Sequence, residues 1–260
     1  MKITALVENT TKRDCPTEHG LSLYIETARH NILFDTGQTT LFADNAERFG
    51  VDLSSVDLCM LSHGHYDHGG GLKKFTEVND HAKIYMNKHA FGWHYHGEER
   101  YIGLNRDWID DEAMQERIVY VDGDLTIDEE LSIYGPRPHK KIDMGAAGLT
   151  MKVGGKFLPE DFRHEHYLLI WEGDKTVLIS GCSHQGILNI MEWFHPDVCI
   201  GGFHFMKEEP GERLRSYGKV LAGYQTTYYT CHCTGVEQFA FLQPIIPQMH
   251  YLAEGDVIEV

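Results

Sequence analysis

Hydrophobic residues along the chain are grouped into short runs separated by turn residues, a pattern that predicts many strands. Most runs alternate or are continuously apolar, and Gly, Asp, Asn or Pro follows several of them. The predicted strands are 3–7, 21–26, Asn31–Phe34, 56–61, 83–86, Ile118–Val121, Leu131–Tyr134, 166–171, 176–180, Val198–Gly201, 226–230 and 257–260.

Between these strands, segments with apolar residues at helical spacing predict helices. In 39–49, for example, Leu41, Phe42 and Ala46 lie near this spacing, and Gly50 is a typical helix end. The predicted helices are 39–49, 72–75, 186–194, 211–223 and 236–242. Strands and helices interleave in both halves of the chain, which indicates an α+β protein but leaves several topologies open.

The segment 87–118 shows neither the alternation of strands nor the spacing of helices, and it is rich in aromatic residues. We therefore expect it to be an irregular, variable insert. Its side chains include Phe91, Trp93, Tyr95, Tyr101 and Trp108, among His94, His96 and Arg100. An irregular segment between regular elements is a candidate lid or substrate wall. The alternative, equally open from the sequence, is a surface excursion packed by its own aromatic side chains.

Residues 62–71 read Ser-His-Gly-His-Tyr-Asp-His-Gly-Gly-Gly and directly follow the apolar run 56–61. This string places three imidazoles and a carboxylate at the end of a predicted buried strand: His63, His65, Asp67 and His68. Imidazole and carboxylate suit zinc, and also iron, manganese, cobalt or nickel. We expect Gly64 and glycines 69–71 to supply the backbone freedom that folds the loop around a metal. A solvated histidine-rich turn would not explain the buried strand before it.

Two later strands also end at histidines. The run 176–180 leads into Gly181-Cys182-Ser183-His184, which makes His184 a candidate ligand or, alternatively, a cap of the next helix. The run 226–230 leads into Cys231-His232-Cys233. By the two-residue period of strands the two cysteines point away from His232, so we expect them to pack in the core or behind the ligands.

Two further residues are candidates for supporting roles. Asp35 follows the strand Asn31–Phe34 in Phe-Asp-Thr-Gly, where it either orients a ligand histidine or is an ordinary turn residue. His204 follows the strand Val198–Gly201 and is either a substrate contact and proton carrier or a structural histidine. We name Asp67 and His204 as the candidate catalytic residues.

Composition narrows the function classes. With 42% hydrophobic and 24% charged residues, the chain has the make-up of an ordinary globular protein. A formal charge of −16 argues against a nucleic-acid partner, because phosphate neutralisation needs clustered Lys and Arg. No apolar run is long enough to span a membrane, and the N-terminal stretch is predicted as a strand rather than a signal peptide. The six cysteines show no disulfide framework, so we expect a cytoplasmic protein. The oligomeric state is not indicated.

The spacing His-x-His-x-Asp-His in residues 63–68 resembles the signature of the metallo-β-lactamase superfamily. The resemblance implies a four-layer αββα sandwich in a single domain over residues 1–260. It further implies that His63 and His65 bind one metal ion and that Asp67 and His68 bind a second.

The strand-end residues extend this resemblance. It implies that His184 completes the first metal site and that His232 completes the second, with two divalent ions, zinc before iron, manganese or nickel. In many relatives the strand corresponding to 176–180 ends in Gly-Asp, and that aspartate bridges the metals. Here Gly181-Cys182 stands in its place, which puts the bridging ligand in doubt. We expect Cys182 to lie in the pocket wall rather than on a metal.

Motifs along nearly the whole chain resemble one branch of this superfamily. That branch contains 7,8-dihydropterin-6-methyl-4-(β-D-ribofuranosyl)aminobenzene-5′-phosphate synthases and related metal-dependent hydrolases. The motifs lie at 7–9, 18–22, 33–38, 181–187, 201–204 and 231–235. The match does not extend through 87–165, where substrate choice would be encoded.

The leading hypothesis is therefore a hydrolase in which a metal-bound hydroxide at a dinuclear site attacks a small phosphorylated or carbonyl substrate. A dihydropterin-condensing transferase is the second hypothesis. A di-iron redox protein of the same fold is the third, disfavoured because that branch has a glutamate where His65 lies. A nucleic-acid-processing enzyme and a non-enzymatic metal-binding scaffold are the remaining, weaker alternatives.

Overall fold

The computed structural model describes residues 1–138 and 148–260, which form two seven-stranded sheets and one four-stranded sheet. The strands in chain order are β1 Lys2–Val7, β2 Ser22–Glu26, β3 Asn31–Phe34, β4 Leu58–Met60, β5 Lys83–Asn87, β6 His94–His96, β7 Arg100–Tyr101, β8 Ile118–Val121, β9 Leu125–Thr126, β10 Leu131–Tyr134, β11 Leu149–Val153, β12 Lys156–Pro159, β13 Tyr167–Glu172, β14 Lys175–Ser180, β15 Val198–Gly201, β16 Thr227–Thr230, β17 Met249–Tyr251 and β18 Val257–Glu259. The α-helices are α1 Leu41–Phe49, α2 Tyr66–Gly69, α3 Leu72–Val78, α4 Glu112–Gln115, α5 Ile187–Phe194, α6 Glu212–Leu221 and α7 Val236–Leu242. Short 3-10 helices cover Leu53–Ser55, Arg106–Ile109 and His232–Thr234.

Each large sheet is mixed. The first has the order β18-β1-β2-β3-β4-β5-β8 and is antiparallel up to β3 and parallel from β3 to β8. The second has the order β17-β16-β15-β14-β13-β10-β9, with β14 to β17 parallel. Each sheet therefore has a parallel part, whose strands all end at one edge.

The two sheets pack face to face, and helices cover their outer faces. Alternate residues such as Ile32 and Phe34 enter a core shared with Ile179 and Ile200 of the second sheet. Leu33 points the other way and packs with side chains of α1 and α3. Helices α5, α6 and α7 cover the outer face of the second sheet in the same way. The predicted α+β class and four-layer αββα arrangement are confirmed.

The segment 87–118 is not irregular throughout, which corrects the prediction from its sequence. It contains β6 and β7, which join β11 and β12 in a four-stranded sheet of order β12-β11-β6-β7. Its aromatic side chains pack on one another, as in the contact between Tyr95 and Tyr101 with ring centroids 5.4 Å apart. Strands β6 and β7 were missed because they are only three and two residues long, and because the other partner of β6, β11, lies far along the chain.

Other differences between the predicted and the observed strands lie at the sheet edges. Strands β9 and β17 were not predicted, although β17 pairs in parallel with β16 through Tyr228 and Met249. Two- and three-residue edge strands are defined by their partners rather than by their own alternation. Within the described residues, no helix combines the length and the apolar character needed to cross a lipid bilayer.

Candidate metal centre

The predicted ligands lie where parallel strands of both sheets end. His63 follows β4, His184 follows β14, His204 follows β15 and His232 follows β16. Since the carboxyl ends of parallel strands meet at one edge of a sheet, these residues share one end of the sandwich. All but His204 are buried.

Backbone strain is concentrated at the same strand ends. Asp35, Ser183, His204 and His232 have φ angles of 59°, 56°, 55° and 47°. A positive φ costs a residue with a side chain roughly 1–2 kcal/mol. Such conformations persist when surrounding contacts hold them, and they are typical of functional sites.

The glycines of the metal-binding loop provide space rather than unusual dihedral angles, which corrects the sequence expectation. Gly70 and Gly71 have ordinary φ angles of −61° and −82°. A Cβ atom at Gly64 would lie 2.1 Å from the carbonyl oxygen of Ala90. A Cβ at Gly181, in the facing loop, would lie 2.2 Å from Ser62 Oγ. Close packing of the loops therefore requires glycine at these positions.

Three histidines form the first predicted ligand set. His63 Nε2 lies 3.1 Å from His65 Nδ1 and 3.3 Å from His184 Nε2. Tetrahedral zinc with Zn–N bonds of about 2.0–2.1 Å holds its nitrogen ligands about 3.3 Å apart. The distances from His63 Nε2 to the other two nitrogens therefore fit a shared metal ion.

Asp67, His68 and His232 form the second predicted set. His68 Nε2 lies 3.2 Å from His232 Nε2, and the Asp67 Oδ2 atom lies 3.6 Å from His232 Nε2 and 4.0 Å from His68 Nε2. Two nitrogens and one carboxylate oxygen converge, a donor set suited to a divalent transition metal. All six ligands named from the sequence thus lie in two adjacent groups.

Burial sets the protonation of these ligands. Burial lowers the pKa of His63 and His184 well below the usual range, and neighbouring imidazoles lower it further. Burial likewise lowers the pKa of His232 to about 4. Burial acts to raise the pKa of Asp67, but nearby histidines, His68 above all, hold it well below the usual range. At neutral pH the imidazoles of His63, His184 and His232 are uncharged and the carboxylate is ionised, as metal ligation requires. The pKa of His68 is instead raised, because the carboxylates of Asp35 and Asp67 outweigh the effect of its burial.

Asp35 holds the side chain of His68, one of the predicted ligands. Its Oδ2 accepts a hydrogen bond of 2.6 Å from His68 Nδ1, and both side chains are fully buried. The Asp35 carboxylate also accepts hydrogen bonds from the backbone N–H and hydroxyl of Ser62. This arrangement leaves His68 Nε2 directed at the second ligand set.

The sequence did not reveal how His232 is held. Its ring Nδ1 donates to Asn9 Oδ1 at 2.8 Å, and its backbone N–H donates to Glu8 Oε1 at 2.6 Å. Both partners directly follow β1, near the opposite end of the sequence from His232. The contact to Asn9 selects the tautomer in which Nε2 keeps its lone pair for a metal.

Other functional candidates were also missed. His19 is half-exposed, and its Nε2 lies 3.3 Å from Asp67 Oδ2, so it could join a metal-binding group with Asp67 and His232. Its only sequence signal was its place in the motif 18–22. His65 of the first set also forms a buried group able to hold a metal with His94 and His164, and His94 Nδ1 lies 2.7 Å from Glu160 Oε2.

The cysteines differ in placement. Cys231 packs in the core between the sheets, as predicted. Cys182 lines the cavity wall, as expected, and its Sγ lies 3.2 Å from His68 Nε2. It is close enough to form a metal-binding group with either histidine set. Cys233 lines the same cavity as His232, which corrects the expectation that it points away, because His232–Thr234 form a 3-10 helix rather than a strand. Its thiol donates to the Cys182 carbonyl oxygen at 3.6 Å.

Both ligand sets face one cavity of about 400 Å³. His204 lines it, and its ring lies 4.5 Å from that of His184, centroid to centroid. The small sheet forms part of the wall through His96, Arg100 and Leu149, and Ile102 lines the cavity directly after β7. The aromatic segment therefore supplies a wall of the cavity, one of the two interpretations left open by the sequence. The volume suits a small molecule.

Comparisons with known proteins show which sequences and structures this chain is similar to. The family model described as the metallo-beta-lactamase superfamily matches residues 16–224. An uncharacterised protein of Methanocaldococcus jannaschii, MJ0448, is 29% identical over 251 residues, covering 94% of each chain. The 7,8-dihydropterin-6-methyl-4-(beta-D-ribofuranosyl)-aminobenzene-5'-phosphate synthase of the same organism is 26% identical, covering all of this chain and 96% of its own.

A solved structure is similar over the same length. Tm1679, described as a metal-dependent hydrolase of the beta-lactamase superfamily, superposes with a TM-score of 0.85 at 26% identity, covering 100% of this chain and 99% of its own. The family match spans most of the sequence, and the fold agrees with it. The chain belongs to the metallo-β-lactamase superfamily.

Proposed function

We propose that the protein is a dinuclear metallohydrolase acting on a small phosphoester or carbonyl compound. The observation that supports this most directly is the pair of adjacent ligand sets, of which His65, His184, Asp67 and His232 line one small cavity. Nitrogen and carboxylate donors favour zinc, with iron, manganese or nickel as alternatives. Bound ions would lower the pKa of water and stabilise negative charge on the substrate.

The protein's own residues prepare this chemistry. Asp35 and Asn9 hold His68 and His232 with their Nε2 lone pairs toward the second set. The ionised Asp67 lies among imidazoles and keeps a negative charge close to them. His204, on the cavity wall beside His184, is placed to pass a proton to a leaving group.

Elemental analysis tests the metal content. Protein purified without chelator should contain about two transition-metal ions per chain. His63→Ala and Asp67→Ala should each reduce the metal content and remove most activity, while circular dichroism stays unchanged because the core holds the fold. A value near zero after metal supplementation, with the fold intact, would contradict a dinuclear site.

A substrate panel tests the reaction. Phosphodiesters, lactones and thioesters should include at least one compound whose hydrolysis depends on added metal and is lost in both variants. The similarity to the dihydropterin synthase favours a second candidate, a transferase that joins a pterin diphosphate to an arylamine. Product analysis separates the two candidates, since only a transferase yields a product in which the pterin is joined to the arylamine.

A further inference from the structure

The mouth of the cavity carries positive charge although the chain as a whole has a formal charge of −16. Arg100 from β7 and Lys207 from the loop after β15 both line it, together with His96 from β6. His96 and Arg100 are directly paired across the β6–β7 ladder, so their side chains share one face of the small sheet.

Among the described residues, these two cations lack the acidic partners that some of the surface cations have. Lys12 lies 2.6 Å from Asp256, and Lys73 lies 2.5 Å from Asp111. In the described ranges 1–138 and 148–260, neither Arg100 nor Lys207 has a carboxylate within 4.0 Å. In a protein with 39 acidic residues, a pair of unneutralised cations in a cavity wall favours an external anion.

Neutral contacts hold both cations in place. Arg100 Nη2 donates to the Tyr66 hydroxyl at 2.6 Å, and Tyr66 lies between the ligands His65 and Asp67. Lys207 Nζ donates to His96 Nε2 at 3.3 Å. Neither contact neutralises a positive charge. The Tyr66 contact places the guanidinium next to the metal-binding loop, within reach of one small molecule that also touches the ligands.

We propose that Arg100, Lys207 and His96 form a subsite for a second oxyanion of the substrate, a phosphate or carboxylate distinct from the reacting group. This inference rests on the proposed function, which places the reacting group at the six ligands. A guanidinium presents paired N–H donors that match such an oxyanion, and a lysine adds a point charge. Ile102, Leu149 and Met206 also line the cavity and suit an apolar linker between the two anionic groups.

Binding of non-hydrolysable anions to the full chain tests the subsite without relying on turnover. The probes are methylphosphonate and a series of α,ω-bisphosphonates with one to three methylenes, measured by calorimetry at constant metal content. Acetate and the matching dicarboxylates form a second arm, which shows whether the subsite prefers phosphate or carboxylate. Probes with two anionic groups are called two-headed, and those with one are called one-headed. The informative quantity is the affinity of a two-headed probe divided by that of its one-headed partner, because this ratio isolates the contribution of the second anion.

We expect the best two-headed probe to bind at least about tenfold more tightly than its one-headed partner. Arg100→Gln and Lys207→Gln should each lower this ratio about fivefold to tenfold, and Arg100→Lys should restore only part of it. Lys152→Gln is the control, because Lys152 lies in the same small sheet but does not line the cavity.

Unchanged ratios in both glutamine variants would overturn the subsite, as would the absence of any binding by two-headed probes. The outcomes also separate this proposal from the proposed function. Metal-dependent hydrolysis with an unchanged ratio would reject the subsite alone. A lowered ratio without hydrolysis of any panel compound would reject the hydrolase and keep the subsite.

Discussion

Asp35 Oδ2 lies 2.6 Å from His68 Nδ1, and neither side chain is accessible to solvent. This contact joins a turn after β3 to the metal-binding loop after β4, two strands that pair in parallel. Burial acts to lower the pKa of His68, but the carboxylates of Asp35 and Asp67 outweigh it, so the pKa is raised. The charge of Asp35 therefore controls the electron density that His68 offers to a metal.

Replacing Asp35 with asparagine keeps an acceptor oxygen for His68 but removes the charge. We expect the affinity of the second ligand set for metal to fall about 10–100-fold, with a smaller effect on the first set. Titration against a competing chelator would measure both affinities. Asp80→Asn, at a fully exposed site, is the control, and equal affinities in the two variants would contradict the role of Asp35.

The cavity-wall assignment of Cys182 predicts different results for two neighbouring residues. Cys182→Ser should keep the metal content and a measurable part of the activity, whereas His184→Ala should lose the ion of the first set. Elemental analysis of both variants is the measurement. Loss of metal from the serine variant, combined with retention in the alanine variant, would reverse the assignment and make Cys182 the ligand.

Glu165 holds the loop that carries His184. Its Oε1 accepts the backbone N–H of His184 at 2.7 Å, and its Oε2 accepts from the Gln185 N–H and the Tyr167 hydroxyl. In Glu165→Gln, an NH2 group replaces one of the carboxylate oxygens and cannot accept a hydrogen bond. It faces the N–H or O–H group that donated to that oxygen, so buried donors are left unsatisfied. We expect a loss of about 1–3 kcal/mol in the free energy of unfolding.

Urea unfolding of the metal-free protein would measure this loss. Glu129→Gln, at an almost fully exposed position, makes the same chemical change without a buried partner and is the control. A loss no larger than that of the control would show that the loop does not depend on Glu165.

The low pKa of His232 predicts a dependence of stability on pH in the metal-free protein. Its pKa is about 4 in the fold and about 6.5 in an unfolded chain. Between these values the unfolded chain binds a proton that the folded chain does not. The free energy of unfolding should therefore fall as pH decreases from about 6.5 to about 4, by up to about 3 kcal/mol from this residue.

Unfolding by urea across this pH range, with chelator present, would test the dependence. His232→Gln should show a flatter profile than the unaltered protein, whereas His81→Gln, at an exposed site, should follow the unaltered profile. Parallel profiles for all three proteins would mean that His232 is not buried in its neutral form.

The sequence by itself determined the metal-binding loop and the strand-end histidines. His63, His65, Asp67 and His68 are neighbours in the chain, so their proximity needs no knowledge of the fold. His184 could be identified because a buried apolar strand precedes it, and parallel strands bring their carboxyl ends together. The four-layer arrangement followed from the resemblance, since the hydrophobic pattern alone left several topologies open.

The tertiary structure decided which residues hold the ligands and which line the cavity. Asn9 contacts His232 across 223 positions of the sequence, a pairing that depends on which strands end side by side. His96 and Lys207 meet only because the small sheet lies beside the loop after β15. Hydrophobic periodicity reports which face of a strand is buried, but it does not encode the order of strands in a sheet. The partners of the ligands and the cationic mouth of the cavity therefore became visible only in the folded chain.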